Sequence, residues 1–66
     1  MSTSAVAAEL GAAAETVGSY RRRVADLVGP GLGPDREDLV AAIYEAERAL
    51  RTAERLLDRA RSVAEH

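Results

Sequence analysis

From Pro34 to Glu65 the chain carries no glycine and no internal proline, and its apolar residues recur at alternating steps of four and three: Leu39, Ile43, Ala46, Leu50, Ala53, Leu57, Ala60 and Ala64. That spacing is the a/d repeat of a helix that packs along its whole length against other helices. A second run with the same spacing precedes it: Val6, Leu10, Ala13, Val17, Tyr20, Val24 and Leu27. Two such runs joined by one short break predict an all-α fold, an antiparallel two-helix hairpin with helices at about 4–28 and 34–65. The expected organisation is a single domain over 1–66, with 1–3 disordered and a loop at 29–33.

The ends of both runs carry helix signals. Ser2, Thr3 or Ser4 can accept a hydrogen bond from the free amides of a starting helix. Gly29-Pro30 ends the first helix, because glycine takes the left-handed conformation easily and proline has no amide hydrogen for the ladder. Pro34 suits the first position of the second helix. Asp35, Glu37 and Asp38 fall near its positive dipole end and Arg55, Arg59 and Arg61 toward its negative end. Arg21, Arg22 and Arg23, late in helix 1, are expected to face that acidic first turn.

Aligning the two seams about the loop predicts the layers Val24 with Leu39, Tyr20 with Ile43, Val17 with Ala46, Ala13 with Leu50, Leu10 with Ala53 and Val6 with Leu57. Large residues then meet alanines on alternating sides, as interdigitated packing requires. Two apolar rows are left over. On helix 2 the g positions are Ala42, Ala49, Leu56 and Val63; on helix 1 the e positions include Ala7 and Ala14, beside a ridge of small residues, Ala7, Gly11, Ala14 and Gly18. An antiparallel pair sets e beside e and g beside g, so these rows do not cover each other within one hairpin. They are the expected oligomer interface, and a dimer of hairpins forming a four-helix bundle buries both.

The need for a partner follows from size. A core drawn from 66 residues supplies only about 3–5 kcal/mol unless a disulfide, a metal or another chain contributes. There is no cysteine, and the single histidine is terminal His66, so no disulfide, thiolate site or cofactor is expected and association is the remaining support. The nine basic residues are all arginine against eleven acidic ones, a net charge of −2, which makes nucleic acid and acidic membranes poor partners. Alanine, arginine, glycine and valine in place of lysine suggest a GC-rich bacterial source. No uncharged run approaches the roughly 20 residues of a membrane span, and a cytoplasmic location is expected.

Catalytic constellations are missing from the pattern. There is no internal histidine or cysteine for nucleophilic or acid–base work, Glu45 has Arg48 and no histidine three residues on, and the Gly-Pro loop lacks a Lys-Ser/Thr ending for phosphates. The arginines of helix 2 alternate with carboxylates, giving pairs such as Glu47 with Arg51, Arg55 with Asp58 and Arg61 with Glu65 on a solvated face. Arg21, Arg22 and Arg23 are the candidate anion contact. Tyr20 belongs to the seam, and Val40 with Tyr44 forms an apolar spot that can contact a further protein partner.

In length and heptad periodicity the chain resembles the Rop family of plasmid RNA regulators, dimeric four-helix bundles that bind paired RNA loops on one helical face. The likeness implies a hairpin dimer and, through Arg21, Arg22 and Arg23, an alternative role in nucleic-acid binding. Small secreted helical hairpins with a Trp-x-Gly turn are similar in outline, although this chain has no tryptophan. The function expected from the residues themselves is that of a non-enzymatic, self-associating structural or protein-interaction module.

Overall fold

A computed structural model describes residues 2–66; Met1 lies outside the described residues. Two long helices are joined by an irregular connection: α1 spans Thr3–Ala25, α2 spans Glu37–Glu65, and Pro30–Leu32 forms a single 3₁₀ turn between them. The N-terminal end is tied down. Ser2 is extended, and its Oγ accepts from the Ala5 amide at 3.1 Å, so Thr3, expected to be disordered, is already helical.

Both inner ends differ from the expectation. Helix α1 stops at Ala25, before the Gly-Pro pair, as the Leu27 and Val28 amides switch to the carbonyls three residues back, Val24 and Ala25. Gly29 is extended, which the following proline favours. Gly33 (φ 78°) and Asp35 (φ 67°) then take left-handed conformations that turn the chain, and α2 starts only after Arg36. Pro34 is therefore part of the loop and not the first residue of the helix, and the connection runs over 26–36 instead of 29–33. Glu37 and Asp38 keep their place in the first turn of α2.

This longer connection slides the helices relative to the predicted layers. The layers place Arg21 level with Ala42 and Gly18 level with Glu45; in the structure Arg21 bonds Glu47 and Glu54, Gly18 lies against Glu54 and Gly11 against Arg61. The three arginines late in α1 therefore do not face the acidic start of α2.

Helix α1 is also turned about its own axis. Its buried residues are Ala7, Ala14 and Gly18, the first two only 6% and 5% exposed. These are members of the ridge assigned to an oligomer interface, and they sit inside the hairpin against α2. The physical reason is close approach: a row without large side chains lets the second helix come near, and its leucines and long polar stems then fill the space beside the ridge. Of the expected seam, Val6, Leu10, Ala13, Val17 and Val24 are only half-buried, while Tyr20 and Leu27 are 52% and 58% exposed. On α2, Leu39, Ile43, Leu50, Ala53, Leu57, Ala60 and Ala64 are half-buried and Ala46 is exposed. Among the described residues no large apolar side chain is fully buried in this rod, whose Cα extents are 51 × 14 × 13 Å.

Candidate functional site

Where polar residues border the helix contact they pair across it. Arg21 donates from Nε to Glu54 Oε1 at 2.8 Å, and its Nη1 lies 3.6 Å from Glu47 Oε1, which also holds Arg51 at 2.7 Å. Gly18 makes room for the Glu54 carboxylate, which stands where a Cβ would be. The hydrogen bond that Arg21 donates to Glu54, aided by the charges of Glu54 and Glu47, pushes the Arg21 guanidinium above its ordinary pKa against the opposing effect of desolvation. Two turns further, Gly11 admits the Arg61 stem, and Arg61 pairs within α2 with Asp58 at 3.6 Å and Glu65 at 3.4 Å.

Successive helical residues turn by about 100°, so these pairs fix which way each helix faces. Gly11, Glu15, Glu54 and Asp58 line one shallow hollow on the polar side of the contact. Turning the other way round α1 from Ala14 brings Leu10, Val17, Val6, Val24, Ala13 and Tyr20 in order. The same turn round α2 from Leu50 brings Ala46, Ala53, Ala60, Ala49, Leu56 and Val63. In an antiparallel pair both turns lead to the same side of the hairpin. The result is one continuous apolar face, with Leu27 meeting Tyr20 and Val24 in a hollow at its loop end. Leu56 and Val63 are 51% and 68% exposed there, and Ala42 and Ala49 are exposed beside them.

No family model, curated protein or solved structure matches the chain. What the face does must be read from its chemistry. It is lined by aliphatic and aromatic side chains without a metal-binding cluster, since among the described residues no group of three or more His, Cys, Asp or Glu could hold an ion.

The expected interface residues thus divide. Ala42, Ala49, Leu56 and Val63 lie on the open face; Ala7, Ala14 and Gly18 are buried behind it, and Gly11 is half-buried under Arg61. Tyr20, Val24 and Leu27 belong to the face although their spacing assigned them to the seam. The readable signal was the second heptad series Ala7, Gly11, Ala14, Gly18 and Arg21, which runs parallel to the first and contains the residues that permit close contact.

The three consecutive arginines do not form one anion site, because neighbouring positions on a helix point about 100° apart. Arg21 turns inward to Glu54, Arg22 is exposed, and Arg23 lies over the Tyr20 ring at 4.8 Å from its centroid. Val40 and Tyr44 do come together, lining an open hollow with Gly33, Pro34 and Arg36 at the loop end. That spot lies on the side of α2 away from the apolar face. No helix of the described residues is long and apolar enough to cross a membrane.

Proposed function

We propose that this chain is a non-enzymatic, self-associating module, a structural or protein-interaction subunit whose working surface is the apolar face shared by both helices. The single observation that supports this is the absence, among the described residues, of any fully buried large apolar side chain, with Tyr20, Leu27, Leu56 and Val63 more than half exposed along one side. A hairpin in which every leucine and valine remains partly wet has little hydrophobic stabilisation of its own. Covering the face with a second copy converts two open layers into a four-helix bundle with a common core.

Sedimentation equilibrium across a wide concentration range tests the reading. A concentration-dependent dimer supports it, and a well-folded monomer at every concentration refutes it. The Rop-like alternative would rest on Arg21, Arg22 and Arg23, of which Arg21 is committed to Glu54 and Glu47. RNA and DNA are accordingly expected not to be retained by the purified protein even at low salt, where phosphate contacts are strongest; retention at low salt would favour the alternative.

A further inference from the structure

The apolar face is uneven, and its unevenness specifies how a second copy sits on it, given the self-association proposed above. On α1 the face is built from Leu10, Val17, Tyr20 and Val24, with Leu27 just past the helix end. On α2 its loop-proximal half is Ala42, Ala46, Ala49 and Ala53, and larger side chains, Leu56 and Val63, come only toward the far end. Ala13, the one alanine of the α1 row, falls in that far half. One helix thus presents a bulky row and the other a shallow one, with the two exceptions, Ala13 and Leu56, close to each other in level.

Two identical hairpins can lay these faces together about a two-fold axis in two ways. An axis across the helices puts the loops at opposite ends and sets α1 on α1 and α2 on α2, bulky on bulky and shallow on shallow. The spacing of packed helices follows side-chain size, so the α1 pair then holds the layers apart while the alanines of α2 lose contact. An axis along the helices puts both loops at one end and sets α1 of each copy on α2 of the other. We propose this second arrangement, in which every bulky row meets a shallow one. The register agrees: Gly18 is level with Glu54 and Gly11 with Arg61, and an axis along the helices leaves levels unchanged. Tyr20 of each copy therefore enters between Ala49 and Ala53 of the other, Val24 between Ala46 and Ala49, and Leu56 between Ala13 and Val17. Of the acids at the joined loop ends, Asp26 and Glu37 point away from the face, roughly 140–160° round from Val24 and Ala42, and Asp38 is held by Arg36 at 3.4 Å.

The chain has no cysteine, so a single labelled one reports the arrangement. Gly31 has open space around it in the loop, and Gly31→Cys carrying a nitroxide should give, by pulsed electron–electron double resonance on the dimer, one distance far below the 51 Å length of the hairpin. A distance near that length places the loops at opposite ends and overturns the proposal. Ala49→Leu fills the space that Tyr20 of the other copy needs and should raise the dimer dissociation constant about tenfold; added to Tyr20→Ala, it should change that constant by less than about twofold. Ala49 is exposed in the hairpin, so helicity by circular dichroism should be unchanged. An equal effect of Ala49→Leu in both backgrounds overturns the contact. Either failure leaves self-association standing, and a folded monomer overturns both.

Discussion

The carboxylate of Glu54 occupies the space above Gly18 that a Cβ would fill, and Arg21 holds it there from 2.8 Å. Adding a methyl group at Gly18 forces that carboxylate aside and strips Arg21 of its nearest partner. Helix propensity alone would favour Gly18→Ala by roughly 0.5–1 kcal/mol. The displaced ion pair opposes this gain, so we expect no net stabilisation in urea titrations followed by circular dichroism. A clear rise in the unfolding midpoint would show that Glu54 contributes nothing at this position.

Gly11 provides the contrast. Its added Cβ would stand 3.1 Å from Cδ of Arg61, a long side chain on the surface that gives way by a few tenths of an ångström. Gly11→Ala should stabilise the hairpin by roughly 0.5–1 kcal/mol in the same titration, because the helix no longer loses the backbone freedom of glycine. Destabilisation would mean that the Arg61 contact is more rigid than its exposure suggests.

The apolar face makes association sensitive to position. Leu56→Asp and Tyr20→Asp should each raise the dimer dissociation constant at least about tenfold, since burying a large apolar side chain is worth about 1.5–3 kcal/mol. Tyr44→Asp, equally exposed but on the far side of α2, should leave it unchanged. An equal effect from all three in sedimentation experiments would remove the assignment of the face.

Linkage gives an independent check. If the folded hairpin is completed by a second copy, its thermal midpoint rises with protein concentration. A midpoint that stays constant over a hundredfold dilution, with full helicity, contradicts the dimer.

For the Arg21 pair the direction of the pKa shift fixes the pH behaviour. A cation whose folded pKa is raised contributes fully below its unfolded value and loses that contribution only as the pH climbs through the folded one, which for a guanidinium lies in strong alkali. The stability difference between the unaltered chain and Arg21→Gln should therefore be flat across about pH 6–9, and should shrink with added salt because the pair is partly exposed. A slope in that window would mean that another group governs the difference.

Much of the architecture was legible in local chemistry. The two apolar repeats, the Ser2 cap, the glycine and proline residues of the connection and the acidic first turn at Glu37 and Asp38 are signals that act within one turn of helix, and they yield two helices and their order. The row Ala42, Ala49, Leu56 and Val63 was readable as unpaired for the same reason, since it widens the apolar arc of α2 beyond what one partner helix covers. Other features were decided only by tertiary packing. Helix α1 carries two heptad series about one residue apart, Val6 to Leu27 and Ala7 to Arg21, and periodicity alone does not say which turns inward. The small-residue series faces α2 because it permits the closest approach and brings Arg21 to Glu54, and this in turn puts Tyr20 and Val24 on the open face. Register is equally nonlocal. Asp35 and Gly33 in left-handed conformations lengthen the loop and slide α2 along α1, so the level at which Gly18 meets Glu54 depends on contacts between helices and not on either helix by itself.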